Sequence, residues 1–309
     1  MMGEEFVSLS LPPILIGTFA AIACALPGNF LVLRKQALIG DAISHVVLPG
    51  IVVAFLITGT VTTWPMMLGA GGAALVAVAA IEVIRKLGQI EPGAAMGVVF
   101  TTMFAGGVLL LEQSDTSSVH LDVEHALFGN LESLIWLDAT GWPSLLDPAA
   151  LSTLPIELTR IALALTGVTL FIWLFWRPLK ISTFDEGFAQ TLGISTGPVG
   201  LALVVVAAIS AVAAFDAVGS IIVIAMFICP PAAARLMTNR LEHQIAWSIG
   251  FATLASVLGY VLAGYGPLWI GSENAVSAAG MIATVSGLIL ALTALLGRHR
   301  KRMGTPLDT

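Results

Sequence analysis

Charge is scarce in this chain. Asp, Glu, Lys and Arg make up 10% of its 309 residues, and the mean hydropathy is +0.97. Soluble domains run near a quarter charged, so a soluble globular fold is excluded and an integral membrane protein is implied. Cysteine is almost missing. The two present, Cys24 and Cys229, lie inside apolar runs, which excludes an extracellular disulfide framework. No Gly-x-x-x-x-Gly-Lys-Ser/Thr loop occurs, so nucleotide binding by that route is excluded. No His-Glu-x-x-His occurs either, which removes the ligand pair and base of a zinc protease. Nor is there a basic cluster interleaved with aromatics, so nucleic acid is not an expected partner. The chain opens Met-Met-Gly-Glu-Glu, without the positive segment of a cleavable signal peptide, and targeting is expected from the first apolar run itself.

What the chain has is helix-length apolar sequence. Runs near 11–33, 38–59, 64–84, 92–111, 156–176, 197–215, 218–237, 244–265 and 275–297 each approach the roughly 20 residues that cross a bilayer. They are too long and too continuous for the alternating strands of an outer-membrane barrel. The expected fold class is therefore an all-α polytopic membrane protein of about nine transmembrane helices, with residues 1–309 forming one membrane domain. The weakest boundary lies between the sixth and seventh runs, where Phe215-Asp-Ala-Val-Gly219 is a very short break.

Basic residues test that count independently. Arg34/Lys35, Arg85/Lys86, Arg177/Lys180, Arg235/Arg240 and the cluster Arg298, Arg300, Lys301 and Arg302 follow runs one, three, five, seven and nine. These are alternate connections, and the positive-inside rule places them in the cytoplasm, with the N-terminus outside and the C-terminus inside. The expected location is the bacterial plasma membrane. The opposite side is acidic: a long external connection, about 112–155, carries Asp115, Asp122, Glu124, Glu132, Asp138 and Asp147 with no Lys or Arg. It either concentrates cations or is ordinary solvated loop. His120-Leu-Asp-Val-Glu-His125 within it reads as polar loop surface, since nothing fixes a coordination geometry. Between runs five and six, Phe184, Phe188 and Leu192 recur every four residues, with Gly193 closing the stretch. That pattern predicts a short amphipathic helix over about 183–194. It is acidic, which suits a cytoplasmic protein partner better than the anionic inner leaflet.

Asp41 and His45 are the leading candidates for chemistry. They stand four residues apart, hence on one helix face, in the inner part of the membrane. A carboxylate and a neutral imidazole suit first-row divalent metals, and intramembrane ionisable groups mark ion or substrate paths by default. Gly40 and Ser44 share much of that face, and Pro49-Gly50 is expected to disrupt the helix above it, as in cavity-lining helices. A buried hydrogen-bonded pair that only fixes packing is the competing reading. Asp216 is a second deep acid, a waypoint, an outer gate or a helix N-cap for the Gly219 segment. Cys229 offers a soft ligand or simply packs, and the Cys229-Pro-Pro231 run is expected to kink or unwind the seventh span. Glu82 is expected to pair with Arg85 or Lys86, and Glu91-Pro92 to open the fourth span.

The run Leu31-Val-Leu-Arg-Lys-Gln-Ala-Leu-Ile-Gly-Asp-Ala-Ile-Ser-His-Val-Val-Leu-Pro-Gly50 resembles the motif of the manganese/zinc/iron ABC-transporter permease family. His125-Ala-Leu-Phe-Gly-Asn130, Phe184-Asp-Glu-Gly-Phe-Ala-Gln-Thr-Leu-Gly193, Ala217-Val-Gly-Ser-Ile-Ile-Val223 and Pro231-Ala-Ala-Ala234 resemble later segments of that family, in order. The resemblance implies the fold of the larger type II importers, those of the vitamin B12 kind. It also implies a permease that pairs with a second permease chain, itself or a paralogue. The 183–194 segment would bind a cytoplasmic ABC ATPase dimer, and an extracytoplasmic binding protein would deliver the metal. Asp41 and His45 become the metal-path pair, no cofactor is bound permanently, and the divalent ion is the cargo. The Ser-His and Pro-Gly form favours manganese or iron over zinc. Asp216 stands where the family has a neutral polar residue, and Cys229-Pro-Pro adds a cysteine and a proline to a single-proline break. The chain is not expected to be an enzyme. Two rival functions remain: an ATP-independent carrier, and an intramembrane metal-dependent hydrolase that needs a third ligand and a base from another span.

Overall fold

A computed structural model of the chain describes residues 5–59, 63–113, 129, 131–139, 141–269, 271 and 276–297, without the side chains of Ser44, Leu48, Thr63, Lys86, Pro92, Leu111, Ala149 and Asp216. After a π-helical turn at Phe6–Ser10 come α1 (Leu11–Leu33), α2 (Ile39–Thr58), α3 (Thr63–Gly88) and α4 (Pro92–Gln113). Beyond the acidic connection follow α5 (Ile156–Leu174), α6 (Trp176–Phe184), α7 (Glu186–Thr191), α8 (Thr196–Met237), α9 (Leu241–Trp269) and α10 (Ala278–Leu296). Among the described residues no strand occurs, and 9 segments are long and apolar enough to cross a membrane. They match the nine expected runs. The first begins earlier, at Phe6, and the eighth extends to Trp269.

The hub is α1, which packs against α8, α9 and α5. Its buried face is built of small residues, among them Gly17, Ala20, Ala21, Ala25 and Gly28. In a bilayer, burial of apolar surface drives helix association weakly, and small residues win by letting backbones come close. A second group, α2, α3 and α4, packs on one another, with α2 also against α8. Here too the contacts are glycine contacts. A Cβ on Gly40 would lie 2.6 Å from the ring of Phe227 on α8, and one on Gly107 of α4 would lie 2.6 Å from Cβ of Pro49. Gly50 and Gly69 meet backbone to backbone, each facing the other's carbonyl oxygen.

Two proline expectations are corrected. Pro49 does not disrupt its helix: α2 is continuous from Ile39 to Thr58. Pro49 and Gly50 are instead buried at the contacts with Gly107 and Gly69, so they serve packing and do not line a cavity. Pro230 and Pro231 likewise sit inside helical backbone. A proline withholds a donor from the carbonyl four residues earlier. For Pro231 that is the carbonyl of Phe227, and this oxygen lies where α1 approaches at Gly28, only 2.5 Å from an added Cβ. The real interruption of α8 is Gly219, with φ 74° and ψ 171°. Only glycine adopts that conformation without strain. Gly129 packs directly on this break, its hypothetical Cβ 2.5 Å from the Gly219 nitrogen.

Much of the second half of the acidic connection is packed rather than merely solvated. Trp136 is buried with Val7, Ala139 and Ala150, and its Nε1 donates to the Ala150 carbonyl and the Thr153 hydroxyl, both at 3.1 Å. Glu132 accepts from the Ala278 amide at 2.6 Å, which caps α10. His120 and His125 lie outside the described residues. At the basic end, Arg85 donates to Glu82 at 2.9 Å, the expected pair. The stretch expected as one helix over 183–194 is two: α6 ends at Phe184 and Asp185 turns extended, with φ −150° and ψ 99°. The Asp185 carboxylate then accepts from the Phe188 amide at 2.8 Å and caps α7. Phe184, Phe188 and Leu192 are all exposed.

The glycine contacts give a direct stability prediction. Gly69→Leu drives a side chain into the Gly50 carbonyl, where backbone has nowhere to shift, and should destabilise the α2–α3 packing by about 1–3 kcal/mol. Thermal melting of the purified protein in detergent checks this. Gly71→Leu on the same helix, where an added Cβ meets nothing, should melt as the parent does.

Candidate functional site

Asp41 lies in the first turn of α2, where the free amides and the helix dipole favour a carboxylate. One turn on, the Nε2 of His45 stands 3.3 Å from Oδ1 of Asp41. The flanking residues Ala42, Ile43, Val46 and Val47 are buried, so helix periodicity turns the pair towards α4. There the imidazole stacks on Phe100, with centroids 5.4 Å apart and planes at 26°, and meets Phe104 edge-on at 5.7 Å. The pair is not sealed in: the side chains of His45 and Asp41 keep 32% and 29% of their exposure. Val53, Leu56 and Ile57 continue this open face along α2, and Phe104 borders it from α4.

The geometry suits shared coordination. Two ligand atoms 3.3 Å apart and each about 2.2 Å from one ion subtend about 100° at it, an ordinary coordination angle. Atoms at that separation are close enough to share one ion. Among the described residues no group of three or more His, Cys, Asp and Glu comes together. Asp41 and His45 are thus two ligand-type side chains that come together here without a third among the described residues.

The remaining candidates are not gathered at this point. Cys229 is half-buried and neighbours Ser286 on α10. The backbone of Asp216 lies in α8 just before the Gly219 break, and its side chain is outside the described residues. Phe100 and Phe104 were not anticipated as walls of the pair. Their spacing of four on an apolar helix was visible, but which helix faces α2 is a tertiary fact.

The model of the ABC 3 transport family matches residues 8–138 and 150–296. The chain belongs to the ABC 3 transport family. It is 36% identical over 275 residues to the manganese transport system membrane protein MntD of Bacillus subtilis (strain 168), covering 89% of this chain and 88% of that one. It is also 36% identical to the zinc transport system membrane protein TroD of Treponema pallidum (strain Nichols), over 93% of this chain and 74% of that one. Among solved structures, PsaBC from Streptococcus pneumoniae in complex with Fab superposes with a TM-score of 0.73 at 26% identity, covering 94% of this chain and 93% of that one. The fold is that of an ABC-transporter permease, as the Leu31–Gly50 resemblance implied.

A pair that mattered only for packing and one that serves a path differ in stability. Because both side chains are about a third exposed, Asp41→Asn and His45→Ala should each shift stability by no more than about 1 kcal/mol. That is a shift of no more than about 4 °C in detergent melting for a chain of this size. A drop of many degrees would mark the pair as a structural tie.

Proposed function

We propose that this chain is the membrane permease subunit of an importer that passes a divalent metal ion, manganese or zinc, across the bacterial plasma membrane. The observation that carries the reading is the Asp41–His45 pair, held at ligand spacing on an open face of α2 instead of in the core. Two protein ligands per chain replace part of an ion's water shell and release it again, which a conducting site requires. A second permease chain covering the open face would bring a second pair towards the first and enclose the path between two copies or paralogues. Asp216 is a further waypoint or cap in this reading, and Cys229 packs against α10.

The relatives support the class of cargo and divide on its identity, since a manganese and a zinc system are equally similar to this chain. Iron, expected beside manganese from the motif alone, has no support in these relatives. The energy source is a pair of separate ATPase subunits, docked on the exposed Phe184, Phe188 and Leu192 of the α6–α7 segment. Delivery falls to an extracytoplasmic binding protein at the acidic end, so the basic end faces the cytoplasm with the C-terminus. The hydrolase alternative finds no third ligand among the described residues.

Uptake of radioactive manganese and zinc by cells carrying the intact transporter tests the path. Removing one of two ligands costs at least the ~1.4 kcal/mol that makes a tenfold change. Asp41→Asn and His45→Ala should each lower uptake about tenfold or more at matched membrane expression. Wild-type uptake by both variants would exclude the pair from the path.

A further inference from the structure

Arg34 sits between two segments that the function needs to connect. It is the C-cap of α1, its amide donating to the Phe30 carbonyl at 3.0 Å. The chain then closes a tight motif: Lys35 donates to the Val32 carbonyl at 3.1 Å and Gln36 to that of Leu31 at 2.8 Å, with Lys35 at φ 57°. This is the paired hydrogen-bonding of a left-handed helix stop, made with a lysine where glycine is usual. Ile39 next donates to the Gln36 carbonyl at 3.1 Å and Ala42 to that of Leu38 at 2.9 Å. Backbone hydrogen bonds thus brace the short turn between Arg34 and the helix turn of Asp41 and His45 on both sides.

The guanidinium points the other way, to the cytoplasmic segment. Its Nε donates to the Thr183 hydroxyl at 3.0 Å and an Nη to the Ser182 hydroxyl at 2.8 Å, both at the end of α6. The Ser182 hydroxyl gives its own proton to the Pro178 carbonyl at 2.6 Å, so a lone pair is left to face Arg34. Burial lowers the pKa of Arg34, and the Glu186 carboxylate on α7 pushes it back up. One nitrogen of the fork also comes close to α8 at Gly200, where an added Cβ would stand 3.1 Å from it. Behind it is a cavity of about 220 Å³ bordered by Ile39, Ala42 and Ile43 of α2. The first turn of α2 thus packs on Phe227 of α8 at Gly40 and borders open space on the side of Glu186, where Arg34 bridges from the preceding turn to α6.

We propose that Arg34 is the positioning residue through which the α6–α7 segment sets the placement of the Asp41–His45 turn. When a partner ATPase moves α6 and α7, the hydroxyls carry the guanidinium, the stop motif carries α2, and the cavity gives α2 room to shift. Lysine cannot replace it fully, because a single ammonium lacks the planar fork that grips two hydroxyls. The proposal rests on the reading of the chain as an ATP-driven permease.

The test uses the full transporter, permease with ATPase and binding protein, in vesicles, and reads metal moved per ATP hydrolysed. Arg34→Gln should assemble with the normal amount of ATPase, hydrolyse ATP, and move at least about fivefold less metal per ATP; Arg34→Lys should fall between it and the parent. Ser182→Ala with Thr183→Val should lower the ratio similarly. Combining these with Arg34→Gln should lower it no further, as for residues acting as one unit. An unchanged ratio in Arg34→Gln, or losses that multiply in the combined variant, overturns the proposal. Should Arg34→Gln fail to assemble, the two hydroxyl substitutions decide alone, and a normal ratio there overturns it. Asp41→Asn in the same vesicles separates the two claims. Normal transport by Asp41→Asn removes the path reading itself, whereas its failure beside coupled Arg34 variants removes only the role of Arg34.

Discussion

Backbone approach at glycine is the constraint on which this structure depends. A membrane helix that carries an acid and an imidazole cannot be positioned by burying more apolar surface, because lipid offers the same surroundings as a neighbouring helix. What positions α2 is shape. Gly40 admits the ring of Phe227, Gly50 and Gly69 bring α2 and α3 into backbone contact, and Gly107 receives Pro49. These contacts hold α2 against α3, α4 and α8, while Asp41 and His45, beside Phe100 and Phe104 of α4, stay partly exposed.

That division gives the polar pair its character. A fully enclosed Asp–His pair would be a costly structural tie, and a fully solvated one would hold no ion. Here a carboxylate at a helix start and an imidazole held between Phe100 and Phe104 stand at the spacing of two ligands to one ion. The aromatic walls restrict the ring without competing for its nitrogen. A site of this kind binds through few protein atoms and exchanges the rest with water, which favours passage over storage. At the basic end the same helix is tied through Arg34 to the segment that a motor would grip.

Much of this was legible before any coordinates. The nine spans follow from apolar length, and the Asp41–His45 face follows from a spacing of four. The Leu31–Gly50 motif pointed to the family that the whole chain then matched. What misled was proline. Pro49, Pro230 and Pro231 read as breaks because each removes a donor, yet the helices run on. At one of them, the freed Phe227 carbonyl lies where α1 approaches at Gly28. The interruption of α8 falls at Gly219, within the short break expected between runs six and seven, although its positive φ could not be read from the sequence. The walls of the pair, the split of the 183–194 helix at Asp185 and the partners of Arg34 depend on which helices meet, and one sequence does not state that.

The account stands on Asp41 and His45 holding the transported ion. Equilibrium binding of manganese and of zinc to the purified transporter, counted as ions per permease, measures this directly. The parent should bind metal that the Asp41→Asn/His45→Ala variant loses while its fold and assembly stay intact. Equal metal content in parent and variant would contradict the account.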